Sequence, residues 1–218
     1  IDNVEKVVGG GSYVMFLLKD KTVKALGDLS SSFVGSANSG SHATPFEIPI
    51  TNVKDVLHGE TYVLFLLEDN SVVALGQNCD RGQLLDYTGS REGVPVDLPS
   101  AEGVKKIEAS ARVVYYLYEN GEVYGWGDSS FGQLGVMGRT KLPMTKLPVE
   151  GVEDVYSNGV VTYLVKDNNE VQAIGGVYEH RAGSASMGIT EVPVSVPELS
   201  GKEIKNMVLN DYVTVVLF

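Results

Sequence analysis

The eight prolines constrain the architecture more than any other feature of the chain. They fall in four pairs: Pro45/Pro49, Pro95/Pro99, Pro143/Pro148 and Pro193/Pro197. First members are 50, 48 and 50 residues apart, and second members 50, 49 and 49. Proline has no N–H to give to a β-ladder, so each pair marks an edge strand or the loop leading into one. A set of glycines keeps the same period: Gly27, Gly76, Gly127 and Gly175 lie 49, 51 and 48 residues apart. The chain is a repeat.

Each unit holds an initial strand (Val4 to Val8 in the first), a hairpin, a long loop and a proline-flanked extended piece. The first hairpin strands read Y-V-M-F-L-L, Y-V-L-F-L-L, V-V-Y-Y-L-Y and V-T-Y-L-V-K from Tyr13, Tyr62, Val113 and Val161. Four short strands in a repeat of about 50 residues, with no helical period, are the signature of β-propeller blades. The expected class is all-β: a propeller of four-stranded antiparallel blades. One domain spans 1–218, with repeats at about 1–50, 51–100, 101–150 and 151–200 and a partial fifth at 201–218. A β-solenoid is the second choice.

The third repeat is the clearest. Tyr115 to Gly135 alternates aromatic and apolar residues, turns at Asn120-Gly121 and ends in a glycine-bounded loop. Asn-Gly between alternating runs signals a hairpin in which both turn residues take positive φ. Trp126 shares its phase with Leu26, Leu75 and Ile174, so it is expected to pack between blades.

This repeat resembles the regulator of chromosome condensation repeat family, whose units carry D-G-x-V-Y-x-W-G followed by G-Q-L-G. The matching residues are Asn120-Gly121-Glu122-Val123-Tyr124-Gly125-Trp126-Gly127 and Gly132-Gln133-Leu134-Gly135. In the second repeat Ala74-Leu75-Gly76 and Gly82-Gln83-Leu84 keep the frame; the first and fourth keep Ala25-Leu26-Gly27 and Ala173-Ile174-Gly175. The resemblance implies a seven-bladed propeller and, from the founding member, nucleotide exchange on a small GTPase. The family's hairpin opens G-x-x-H-[ST]; here the histidine position holds Tyr13, Tyr62, Val113, Val161 and Val213.

The net charge is −11, from 17 basic and 28 acidic residues. A nucleic-acid binder normally presents a basic stripe to displace counterions, and none is visible, so nucleic acid is not an expected partner. No window approaches the roughly 20 apolar residues of a membrane span. Cys79 is the only cysteine, which fits a reducing, intracellular (cytoplasmic) setting. The chain opens on Ile1 without a start methionine and is read as a fragment or a processed product.

No catalytic, cofactor or metal constellation stands out, and the chain is read as a non-enzyme without a cofactor. Gly9-Gly10-Gly11-Ser12 precedes a strand rather than a helix, so it reads as a tight turn and not a phosphate loop. His42, His58 and His180 occupy different phases, and Gly183-Ser184-Ala185-Ser186 misses the nucleophile-elbow spacing. The acidic residues Asp20, Asp69, Glu119 and Asp167 are read as one solvent-facing turn phase.

What differs between repeats is the loop after each glycine-ended strand: 28–44, 77–94, 128–142 and 176–192. A rigid scaffold that positions variable loops points to contact with a partner. The candidate contact residues there are Arg81, Tyr87, Arg91, Phe131, Arg139, Tyr178, His180 and Arg181, because aromatic and arginine side chains dominate interface energies. The reading is a protein–protein interaction module; the alternatives are a nucleotide exchange factor for a small GTPase and a propeller-type enzyme inhibitor. Val4 to Leu18 and Ile204 to Phe218 carry the same two strands, so the ends duplicate each other. The chain is therefore expected to be an arc of a larger propeller, completed by further sequence or by another chain.

Overall fold

The computed structural model describes residues 1–76, 82–85, 93–176, 188–210 and 213–218. Its strands fall into four antiparallel four-stranded sheets and one two-stranded sheet. The first blade is β1 (Val4–Gly9), β2 (Tyr13–Leu18), β3 (Val23–Leu29) and β4 (Gly40–Ile48). The second is β5 (Val53–His58), β6 (Tyr62–Leu67), β7 (Val72–Gly76) and β8 (Val96–Leu98). The third is β9 (Val104–Ala109), β10 (Val113–Tyr118), β11 (Val123–Ser129) and β12 (Arg139–Lys146). The fourth is β13 (Val152–Ser157), β14 (Val161–Lys166), β15 (Val171–Gly176) and β16 (Ile189–Ser195). β17 (Asn206–Leu209) and β18 (Thr214–Leu217) begin a fifth.

Every sheet has its strands in chain order, so each blade is a meander. The prolines lie within or beside β4, β8, β12 and β16, which are the edge strands, as a residue lacking an N–H requires. The chain divides into two compact units, Ile1–Asp80 with Leu84–Glu102, and Arg81–Gln83 with Gly103–Phe218.

In the first unit, alternation along β2 and β3 sends Met15, Leu17, Val23 and Ala25 onto Val53, Val56, Val63, Phe65 and Leu75 of the second blade. In the second unit Val113, Tyr115, Leu117 and Val123 meet Val155, Leu164 and Ile174 of the fourth blade. Val161, Tyr163, Val165 and Ala173 in turn meet Met207, with Val216 packed against them. Each junction buries one face of one blade against the opposite face of the next. Lysine–acid pairs repeat on the first strands: Lys6 to Asp55 at 2.6 Å in the first unit and Lys106 to Asp154 at 2.6 Å in the second.

The turns differ from the expectation. Only one turn residue per hairpin has positive φ: Lys21 (66°), Asn70 (64°), Gly121 (78°) and Asn169 (61°). Lys21 N–H donates to Leu18 O, and Leu18 N–H donates to Thr22 O, so the tip is a type I turn followed by a left-handed residue. Asn120-Gly121 follows the same course, with Gly121 alone in the left-handed region.

The capping phase is also one residue off for half of the acids singled out above. The residues that cap the turn are Asp20, Asp69, Asn120 and Asn168, whose Oδ1 atoms accept from the N–H two residues on. Glu119 and Asp167 precede this position. Hydroxyls of Thr22 and Ser71 also donate to Asp20 and Asp69, and these bonds hold both carboxyls below the usual carboxylate range. One short helical piece was not legible in the pattern: α1 (Ser31–Val34), with Phe33 and Val34 buried.

Candidate functional site

The loop between β11 and β12 is the best-described surface carrying variable sequence. Its base is built by the glycine that ends the third strand. Gly127 has φ of 115°, and Gly27, Gly76 and Gly175 share this conformation at 101°, 125° and 101°. A Cβ on any of the four would overlap the carbonyl oxygen of the residue before the preceding strand. The two strands cross there with no room for a side chain, which explains the period of this residue.

Beyond Gly127 the chain is locked by buried polar groups. Asp128 is fully buried, accepts the Ser130 N–H at 2.8 Å, and lies 3.5 Å from the Arg112 guanidinium. Arg112 in turn stands 6.0 Å over the half-buried Phe131 ring. The Gln133 side chain is fully buried, with Oε1 accepting from Phe131 N–H at 3.0 Å and Nε2 donating to Gly159 O at 2.8 Å. The Tyr115 hydroxyl donates to Gln133 O at 3.0 Å and lies 2.7 Å from Thr162 Oγ1, while burial pushes its phenol well up. Gln133 is thus a buried plug from the third blade into the fourth. Gln83 plays a related part: its carbonyl accepts the Trp126 indole N–H at 2.8 Å. Trp126 is fully buried and meets Tyr116 edge-on at 4.9 Å, so its packing role is as expected.

Above this base the loop opens. Val136 and Met137 are exposed, as are Ile189 and Val192 on β16. The Met137 N–H donates to Glu191 Oε2 at 3.0 Å, which ties the loop tip to that strand. Val192 also lines an open groove of about 660 Å³ with Lys146, Pro148, Glu150, Lys166 and Pro193.

Of the candidate contact residues, Phe131 lies at the base of this surface, under Arg112. Arg139 is exposed but is the first residue of β12, paired with Ser129, and is not a loop tip. Arg81, Tyr87, Arg91, Tyr178, His180 and Arg181 lie outside the described residues. Sequence reasoning missed Val136, Met137, Ile189 and Val192, because isolated aliphatic residues read as core. Their one signal is that they break the repeat, occupying loop and edge phases. Gly9 to Ser12 forms an inter-strand turn as expected, closed by Gly10 N–H to Tyr13 O at 2.9 Å. Among the described residues, no group of three His, Cys, Asp or Glu is placed to hold a metal ion, and no helix is long and apolar enough to cross a membrane.

Fold and loop geometry together define a β-propeller of four-stranded blades, about four of them with part of a fifth. Residues 104–133 match the model described as the regulator of chromosome condensation (RCC1) repeat. Among solved structures, Prp20p from Saccharomyces cerevisiae is similar, with a TM-score of 0.71 and 20% identity over 88% of this chain and 50% of that one. Human WBSCR16 gives a TM-score of 0.73 and 19% identity over 89% of this chain and 52% of that one. The chain therefore spans about half the length of these structures. No curated protein matches it by sequence. The repeats are RCC1-like, and the third blade carries the motif most fully.

Proposed function

We propose that this chain is a non-enzymatic protein-binding module that meets its partner with the loops following the third strand of each blade. One observation carries the reading: the 128–135 base is pinned by buried hydrogen bonds while Val136 and Met137 are held out beside Ile189 and Val192. An exposed apolar group on a rigid base loses little entropy on binding, and apolar patches rimmed by polar residues mark interaction sites. Arg81, Tyr87, Arg91, Tyr178, His180 and Arg181 extend the proposed surface along the neighbouring loops, with Phe131 and Arg139 at its edge. Prp20p was described together with its binding to Gsp1p and histones, so protein ligands are in keeping with an RCC1-like scaffold.

Affinity capture compared between the parent and Met137→Glu/Val192→Glu tests the reading. Partners retained by the parent and lost by the double variant, with unchanged circular dichroism, are expected. Identical partner sets would remove this face from the proposal. Release of labelled GDP from a panel of small GTPases, accelerated by the chain, would replace the binding module with an exchange factor. Part of the proposal is that the blades here are completed by further sequence or by another chain, for which the exposed apolar faces of the first and fifth blades are the support.

A further inference from the structure

The fifth, two-stranded blade leaves a set of blade-packing positions uncovered. Val208, Val213, Val215 and Leu217 are between 52% and 62% exposed. Their counterparts in the fourth blade, Tyr156, Val161, Tyr163 and Val165, are at most 6% exposed. What covers those counterparts is visible: Met207 and Val216, the opposite face of the following blade. The first blade shows the other half of the same junction. Val7 is 57% exposed, whereas the residues at its phase, Val56, Ile107, Val155 and Met207, are at most 7% exposed. Val14, Phe16 and Leu26 on the same face are half-buried, and the matching Val63, Phe65 and Leu75 are buried in the first junction.

We propose that the uncovered face of β17–β18 is an interface for the first blade of a second copy of this chain. Every complete junction joins the face bearing the Met15, Leu17 phases to the face bearing the Val56, Phe65 phases. The chain carries one unmatched example of each, at opposite ends of its sequence, so two copies can repeat an interface the molecule already uses. Such an association is heterologous: one copy's last face meets the other's first. The open edge of β18 strengthens the drive, because an unpaired apolar strand is a template for association. The proposal rests on the reading that the end faces are covered in the working protein.

Sedimentation velocity of the 218-residue chain over a hundredfold concentration range tests this, with Val7→Glu and Val215→Glu as variants at exposed positions. The parent is expected to associate as concentration rises. Each variant alone is expected to stay monomeric, since every copy then lacks one half of the junction. An equimolar mixture is expected to form a dimer and stop there, since one intact junction remains. A parent that stays monomeric throughout, or a Val7→Glu chain that still self-associates, overturns the proposal. A monomer that binds an apolar dye, with binding lost in Val215→Glu, removes the second copy alone; a monomer that binds no dye removes the open faces as well.

Discussion

The first and second units solve the same turn in two ways. In the first unit the residue that opens the hairpin strand is tyrosine, and three residues earlier stands glycine: Gly10 with Tyr13, Gly59 with Tyr62. The ring lies so close over the glycine that a Cβ would overlap it in both blades. In the second unit the opening residue is Val113 or Val161, and the earlier position holds Ser110 or Asn158. Ser110 Oγ donates to Val113 O at 3.0 Å, and Asn158 Oδ1 accepts from Val160 and Val161 N–H at 2.9 and 3.0 Å. A ring folded over a bare backbone is exchanged for a small side chain with a hydrogen-bonded cap. The pair is the unit of substitution, not the residue. Tyr13 shows what the first solution costs: its hydroxyl lies buried, and burial pushes its phenol up to about 12.

The loops separate along the same line. Blade three fills the position with Gly132-Gln133-Leu134-Gly135 and bonds its glutamine into the neighbouring blade. Blade one places Ser32-Phe33-Val34-Gly35 there, and Phe33 meets Tyr13 edge-on at 5.1 Å. A polar plug with two side-chain hydrogen bonds occupies one unit, an aromatic plug the other.

The largest effect expected is at the tryptophan phase. Trp126→Ala should cost about 3–5 kcal/mol, as for other buried aromatics, and Leu26→Ala in the half-buried counterpart clearly less. Chemical denaturation of both variants measures the difference; equal losses would mean the two blades pack this phase alike. Next is the turn pair. Gly59→Ala forces a methyl into the Tyr62 ring and should cost about 1–3 kcal/mol by overpacking. Adding Tyr62→Val to Gly59→Asn should recover part of the loss, a coupling that a double-mutant cycle reads directly. Additive losses would break the claim that the pair substitutes as a unit.

A smaller effect belongs to Glu108 in the second unit. Burial raises its carboxyl above the usual range against the pull of Lys106 and the Ser157 N–H, with Asp154 adding to the rise. A raised folded pKa stabilises the fold below the unfolded value of about 4.3 and loses that stability as pH rises through the folded value. Glu108→Gln should therefore melt higher than the parent at pH 7, with the gap narrowing toward pH 4. A gap that widens on acidification would show that the ion pair outweighs burial. The smallest effect is at the hairpin tip: Lys21→Gly should stabilise by about 0.5 kcal/mol, because a left-handed lysine is strained while its exposed pairing with Glu5 contributes little. The same φ is already met by glycine at Gly121.

The architecture was legible because proline, glycine and alternating apolar residues report backbone constraints that recur in every blade. Trp126 was legible for the same reason, since its phase is apolar in all four repeats. The turn type was not: Asn-Gly suits more than one hairpin, and only the bond from Leu18 N–H to Thr22 O and its counterparts fixes the choice. Leu85, at φ of 52°, was also hidden, because it takes the left-handed conformation that Gly135 takes in the next blade. The contact surface was legible as a set of loops but not as residues. Gln133 reads as exposed and is buried, whereas Met137 reads as core and is exposed; tertiary bonds to Gly159 and Glu191 decide both.

The central claim is that a buried, bonded loop base presents an open apolar tip. Amide hydrogen exchange across residues 130–138 tests it most directly. The N–H groups of Ser130, Phe131, Gly132, Leu134 and Gly135 all have acceptors, so 130–135 should exchange slowly and 136–138 markedly faster. Uniformly fast exchange from 130 to 138 would contradict the account, because a loop without a fixed base cannot hold Val136 and Met137 in place.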